Sequence, residues 1–444
     1  MPEKHKKKHK LIDVFTPTSP AKVTFVERAK QDVNNRLVRG LELPGNQVVI
    51  YGHSGSGKST LLENVLYRTY EKQINTNCMQ GMTFEEVILD AFDQLEEFYV
   101  NEVTNSKKNV VDAKAKAVYL GIQAELKKGR ETRVDEVNHR LLPPQLTPQS
   151  IGRLLGKSGY CWVLEDFHKI EGQDKKKLAQ MMKVFVNLSS TYPDLKIVAL
   201  GAVNTARQVV QYDKEMRKRV SEIHVKLMDF DEIKEIIDKG CKALNIIISN
   251  EIKNDIAKHS NGLASICHKI CYLMCSSALV KETLEVPIEF SPEDLRTALS
   301  EYVKDEEDTL KDALDSALKI EKVEATLRVL IAQDQDGAHV EDLFSWAKEM
   351  KVRVTKKKIQ EDLDKLTLED YGELVKLEDS SKKYSFLDPF YCSFIMAYFD
   401  KQDKQIGNRR PNPKDLLELI DDAFRSVVAN YSSQNNGEIG HDKL

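Results

Sequence analysis

Nine consecutive residues, Gly52-His53-Ser54-Gly55-Ser56-Gly57-Lys58-Ser59-Thr60, combine three glycines, a lysine and a set of hydroxyls. That mixture suits an anion. Glycines let successive backbone N–H groups curl around phosphate oxygens where any Cβ would obstruct the approach. Lys58 brings an ammonium for β- and γ-phosphates, and Ser59 a hydroxyl for Mg²⁺. The spacing Gly-x-x-x-x-Gly-Lys-Ser is a P-loop when it joins a strand to a helix. Gln47–Tyr51 upstream is a short β-branched run, and Leu61, Leu62, Val65 and Leu66 downstream recur at helical spacing. Binding of a nucleoside triphosphate with magnesium is the chemistry expected.

A second stretch, "GYCWVLEDFHKI" from Gly159 to Ile170, is an apolar run ending in Glu165-Asp166. Ligands of open α/β sheets lie beyond the carboxyl ends of the strands, so these acids are expected beside the phosphate loop. Taken in order, Glu165 holds Mg²⁺ and Asp166 polarises the attacking water; the reverse assignment stays open, and both residues are metal candidates. The commoner order is Asp then Glu. A shorter carboxylate as the water-activating group points to slow hydrolysis and to a switch, not a motor.

The elements that must carry these residues follow from composition and periodicity. With 444 residues, 41% hydrophobic and 31% charged, the chain is expected to fold as two to four globular domains. Its net charge of −4 excludes a global basic field, so nucleic-acid contact would need a local patch. No apolar run reaches the roughly 18–20 residues of a membrane span, and the N-terminus lacks a signal-peptide core, so no membrane partner is expected. Seven cysteines without a regular framework fit the reducing cytoplasm. Cys267, Cys271 and Cys275 beside His268 share one helix face and are expected to pack in a core rather than ligate zinc.

Along the chain, residues 1–20 are expected to be a basic flexible arm, and 21–228 a P-loop domain with a charged helical insertion at about 101–145. A helical lid is expected over 229–300, a winged-helix domain over 301–400, and a helix with a disordered tail over 401–444. Further strands are expected at Lys196–Leu200 and near Glu222. Thr83 and Glu86 are placed to form a capping box.

With these parts in place, the chain resembles AAA+ P-loop ATPases of the replication-initiator (origin-recognition-like) branch and the related STAND signalling ATPases. It is also similar to prophage and mobile-element ATP-binding proteins that share the Glu-Asp-Phe-His strand end. The resemblance rests on "FVER" (Phe25–Arg28), "GHSGSGKST", "INTNC", "WVLEDFH" and "KIVALGAVN" in family order, and covers roughly Phe15 to Asp400. It implies an α/β P-loop NTPase fold with an AAA+-like parallel sheet, a helical lid and a C-terminal winged helix. It implies ATP as cofactor, with Phe25 and Val26 at the adenine; Glu27 stands where the family has glycine. Asn204 takes the place of the polar sensor near the γ-phosphate. Arg219 takes that of an arginine finger acting on a neighbouring subunit, with Arg217 as competitor, so homo-oligomers are expected. The lid stretch "NGLASICHK" has no arginine at the second sensor position, where His268 and Lys269 are the candidates for a substitute.

Two functions remain open on these residues. One is an ATP-driven switch on a nucleic-acid complex, with Thr355-Lys356-Lys357-Lys358 of the winged helix facing DNA. The other is a nucleotide-controlled signalling scaffold, for example in anti-phage defence, acting through a separate effector protein. The mixed charge of Glu361, Asp362 and Asp364 favours a structural winged helix in that second case. A GTPase is excluded because "GAVNTA" is not the base-reading Asn-Lys-x-Asp.

Overall fold

A sheet whose central strands are buried on both faces organises the first half of the molecule. In the computed structural model, which describes residues 8–105, 147–202, 214–306, 310–332, 337–378 and 381–408, five strands form a parallel sheet. They are β1 (Gln47–Tyr51), β2 (Lys72–Asn77), β3 (Tyr160–Glu165), β4 (Lys196–Gly201) and β5 (Val220–His224), in the order β2-β3-β4-β1-β5. Successive side chains of a strand point to opposite faces. Val48, Ile50, Cys161, Val163, Val198 and Leu200 therefore pack on Leu61, Leu62, Val65 and Leu66 of helix Lys58–Thr69, with Leu37 and Leu41 of helix Val33–Glu42. Val49, Trp162, Leu164, Ile197 and Ala199 pack the other face with Ile88, Leu155 and Phe185, from helices Phe84–Asn105, Pro148–Ser158 and Gly172–Leu188. Apolar residues on both faces are what a sheet covered by two helical layers requires.

Local chemistry sets the helix ends. Thr83 and Glu86 form the expected capping box, each side chain accepting from the other's backbone N–H at 3.2 and 2.9 Å. Thr147 accepts from Ser150 N with Pro148 at the first helical position, and Gly159 closes that helix at φ +68°. The insertion expected at 101–145 lies outside the described residues beyond Asn105, as does the C-terminal tail beyond Asn408.

After β5, helices Phe230–Leu244, Asn250–Ser260 and Ala264–Ser277 form a three-helix lid, joined by the short parallel pair Ile246–Ile247 and Ile288–Glu289. Asp229 and Glu232 make a second capping box at the start of the first of these helices. Cys267, Cys271 and Cys275 are buried within the third, beside Ile266 and Ile270.

The expectation of a flexible arm over residues 1–20 is corrected from residue 8 onward; residues 1–7 lie outside the described part. His9 N donates to Thr283 Oγ1 at 2.8 Å, Leu11 N to Lys281 O at 2.8 Å, and Leu11–Val14 forms a helical turn on the lid. Leu11, Val14 and Phe15 are buried. Phe15 fits because residue 240 is glycine: a Cβ there would lie 2.2 Å from Phe15 Cζ. The basic charge of the segment concealed an apolar stripe that secures it.

The chain divides into two compact units, Met1–Leu295 with Asp388–Phe390 and the remainder, so that the division falls within helix Pro292–Asp305. The second unit contains helices Val323–Leu330, Val340–Glu349 and Lys356–Leu366 and the antiparallel pair Val375–Leu377 and Tyr384–Phe386. Among its described residues one carboxylate, that of Asp362, is fully buried. Asp362 accepts from Thr326 Oγ1 at 2.6 Å and pairs with Lys358 Nζ at 2.6 Å. Among the described residues no helix is long and apolar enough to cross a membrane.

Candidate nucleotide-binding site

The turn from β1 into helix Lys58–Thr69 is a loop that only glycine could complete. A Cβ on Gly52 would lie 2.2 Å from the carbonyl oxygen of Val225, and Gly57 opens the helix at φ +89°. The helix N-terminus behind it concentrates unpaired N–H groups and the positive end of the helix dipole. Lys58 Nζ folds back onto the loop, donating to Gly52 O at 3.1 Å and His53 O at 2.8 Å. Burial pushes the Lys58 ammonium below its ordinary pKa, an effect opposed by the charges of Asp166 and Glu165.

The paired acids arrive from the end of β3, with β4 lying between it and β1. Ser59 Oγ reaches Glu165 Oε2 at 3.4 Å. Burial, and after it the charge of Asp166, raises the Glu165 pKa, while Ser59 and Lys58 draw it back. Asp166 takes a left-handed backbone conformation, φ +52°, and its carboxylate pairs with Lys169 Nζ at 2.6 Å. The two acids are therefore distinguished by their surroundings: Glu165 faces the loop hydroxyl, and Asp166 is held from outside by an ammonium.

A cavity of about 380 Å³ opens over these groups, lined by Gly55, Gly57, Lys58, Ser59, Glu165 and Asp166 among others. Ser54 and Thr60 also line it, whereas Gly52, His53 and Ser56 stand behind as scaffold. Phe25, Val26, Met228, Ile236 and His268 line it as well. Its volume is in the usual range for small-ligand sites. Glycines that leave room for an anion, an ammonium beside them and a hydroxyl–carboxylate pair fit a magnesium-bound triphosphate. Thr16 and Ser265 line the same cavity, and their hydroxyl oxygens are buried with no hydrogen-bond partner among the described residues.

Sequence reasoning did not single out Arg28, the last residue of "FVER", although it is buried at the junction of three segments. Its Nη1 donates to Lys226 O and its Nη2 to Ser56 O, tying the N-terminal segment to the phosphate loop and to the exit of β5. Burial lowers its pKa, against the charges of Glu232 and Asp229. A buried arginine and an exposed one look alike in sequence. The N-terminal segment was missed for the same reason, yet Thr16 to Ala21 line the cavity, and Ala21 O accepts from Asn64 Nδ2 at 3.0 Å.

His268 does not offer the positive charge considered for it. It is 3% exposed, its Nδ1 accepts from Thr16 N at 3.0 Å, and burial pushes its pKa down to about 4. Arg217 and Arg219 are both exposed. Arg219 precedes β5 and its carbonyl accepts from Gln47 N at 2.8 Å, so it lies at the sheet edge where β1 begins. The P-loop leaves the other end of β1, about 13 Å away at the usual rise per residue. Asn204 lies outside the described residues.

No family model matches the chain, and no curated protein matches it significantly. Among solved structures it is similar to a Walker-type ATPase of Pyrococcus abyssi, at 14% identity and TM-score 0.48, over 84% of this chain and 100% of that one. It is also similar to Cdc6p from Pyrobaculum aerophilum, at 15% and 0.43 over 88% and 98%. The Aeropyrum pernix ORC1 protein in complex with DNA aligns at 13% and 0.44 over 90% and 99%. Likenesses at such identities concern the course of the backbone and carry nothing about activity. What defines the class is the molecule's own topology: a parallel sheet in the order β2-β3-β4-β1-β5, a phosphate loop after β1 and paired acids after β3. The chain has an α/β P-loop NTPase fold, with a helical lid after the last strand.

Proposed function

We propose that the protein is an ATP-binding, slowly hydrolysing AAA+ switch that changes conformation or assembles with nucleotide to regulate a nucleic-acid-associated complex. The observation that carries this reading is the convergence of Lys58, Ser59, Glu165 and Asp166 on one cavity that the lid also lines. Lys58 binds the phosphates, and Ser59 with Glu165 holds Mg²⁺, the metal supplying charge neutralisation at the phosphates when bound. Asp166 takes the proton of the attacking water. Its ion pair with Lys169 must open before it can do so, which supports slow turnover. Asn204 is proposed as the polar sensor. Arg219, exposed at the sheet edge opposite the P-loop, is proposed to act on the nucleotide of a neighbouring copy, which makes the assembly a homo-oligomer. Light scattering with and without ATP tests this: a nucleotide-dependent rise in mass that Arg219→Ala abolishes supports it, and an ATP-independent monomer contradicts it.

The second reading, a STAND-like signalling scaffold with a separate effector, is favoured by the charges of the second unit. Three helices and a hairpin there suit a winged helix. Each lysine at the start of its third helix already has a carboxylate: Lys356 with Glu341 at 2.6 Å, Lys357 with Glu361 at 3.6 Å and Lys358 with Asp362 at 2.6 Å. A DNA reader would have to release them. Salt-dependent binding of duplex DNA separates the two readings, since each phosphate contact contributes about −0.9 to the slope of log K against log salt. A steep slope flattened by Lys356→Ala and Lys357→Ala supports the nucleic-acid reading, and no binding at low salt supports the scaffold.

A further inference from the structure

An open sheet ends in two edge strands whose outward N–H and C=O groups have no strand to pair with, and each edge of this sheet carries a side-chain cap. Cys78 N donates to Glu165 O at 3.0 Å, so Ile74 and Thr76, which alternate with it, also turn their backbone groups to β3. Those of Gln73, Asn75 and Asn77 therefore face outward, and all three residues are exposed. At Asn75 both groups are taken by one side chain of helix Phe84–Asn105. Gln94 Oε1 accepts from Asn75 N at 3.0 Å, and Gln94 Nε2 donates to Asn75 O at 2.7 Å. The same nitrogen donates to Asp90 Oδ2 at 2.8 Å, and a carboxylate only accepts, so the amide is fixed in this sense. An amide that presents its oxygen and its N–H side by side copies the peptide groups of a neighbouring strand. The far edge, β5, has a lesser cap: Arg36 Nη2 donates to Glu222 O at 2.7 Å, and a guanidinium has no acceptor for the Glu222 N–H.

We infer that the outer edge of β2 is a self-pairing surface that the Gln94 amide holds closed against a second copy of this chain. In an antiparallel pair, residues directly opposite exchange both N–H···O bonds or neither. Two β2 strands related by a two-fold axis at Asn75 would set Asn75 opposite Asn75, and the bonds exchanged there are the two that Gln94 occupies. The same axis sets Gln73 opposite Asn77 as the flanking bonded pairs and Lys72 opposite Cys78, so no like charges meet. Such self-complementarity gives a closed dimer. Addition of β2 to β5 of the next copy would instead propagate as an open polymer, and both caps would have to be released at every contact. The edge uses none of the residues assigned to the nucleotide, so this pairing is separate from any assembly through Arg219 and independent of ATP.

The experiment is light scattering of the full chain over a concentration series, without nucleotide, for wild type, Gln94→Ala and Gln94→Glu. The glutamate keeps an acceptor for Asn75 N but cannot donate to Asn75 O or to Asp90. Both variants are expected to dimerise about ten-fold or more tightly than wild type, the scale set by freeing the central pair of bonds. Adding Asn75→Pro to either variant removes the central N–H where an edge strand tolerates proline, and should restore the wild-type mass. Wild-type mass for both Gln94 variants at every concentration overturns the proposal. So does growth into polymers beyond a dimer, or association that Asn75→Pro leaves intact. Hydrogen exchange of wild type tests the cap without any variant: the Asn75 amide should exchange about ten-fold or more slowly than those of Gln73 and Asn77. Equal rates at the three amides would mean that Gln94 does not close the edge, and would overturn the proposal even if the variants failed to fold.

Discussion

The Ser59 hydroxyl lies 3.4 Å from the Glu165 carboxylate, although the two residues are 106 positions apart and the strands that lead to them, β1 and β3, are separated by β4. Coupled groups of this kind lose their function together. Ser59→Ala and Glu165→Gln are each expected to weaken the Mg²⁺ dependence of ATP binding, and the double variant should lose little more than the worse single one. Burial and the Asp166 charge raise the Glu165 pKa. As pH falls, Mg²⁺-dependent binding should therefore decline earlier than an ordinary carboxylate would allow. Titration with ATP over a range of Mg²⁺ and pH checks both; additive losses would show that the two side chains do not share a metal.

Asp166 and Lys169 form a 2.6 Å pair in which both side chains are about half exposed. Exposed pairs contribute roughly 0–1 kcal/mol. Lys169→Ala should accordingly raise single-turnover hydrolysis by about two- to five-fold without changing ATP affinity. The same change in an Asp166→Asn background should do nothing. A slower Lys169→Ala enzyme would assign the lysine a direct role at the phosphates.

Arg28 donates to the carbonyls of Ser56 and Lys226 from a position 3% exposed. Arg28→Ala leaves those acceptors without this donor and is expected to cost about 2–4 kcal/mol in urea unfolding. Arg28→Lys should not recover the loss, because one ammonium cannot replace the planar fork of a guanidinium. Wild-type stability in Arg28→Ala would remove the residue from the account of how the phosphate loop is held.

His268 predicts a pH dependence of the fold itself. Its folded pKa of about 4 is below its ordinary 6.5, with burial as the cause. Between these values the unfolded chain binds the proton and the folded chain does not, so stability rises with pH over that window. The contribution is complete above about pH 6.5 and is lost as pH falls toward 4, with an upper bound of about 3 kcal/mol. Thermal unfolding at pH 7 and pH 5 should show a larger drop for wild type than for His268→Gln. Equal drops would place the proton elsewhere.

Much of the site was legible in the sequence because phosphate binding constrains neighbouring residues. Gly52 to Thr60 form one continuous signature, and "YCWVLED" announces a buried strand with acids at its end. Strand order was less accessible, since nothing local in Lys196–Gly201 states that it inserts between β1 and β3. The contributions of Arg28, Thr16 and His268 were hidden for a related reason. Each acts through a partner 28 to 252 positions away, and no short-range pattern records such a pairing. The N-terminal segment misled because its lysines outnumber Leu11, Val14 and Phe15, the three side chains that anchor it.

The most direct test of the whole account is calorimetric titration of ATP with Mg²⁺ into the wild-type chain and into Lys58→Ala. Saturable one-to-one binding that Lys58→Ala abolishes, with the variant still folded by circular dichroism, is the predicted result. Identical titrations for the two proteins, whether both bind or neither does, would contradict it.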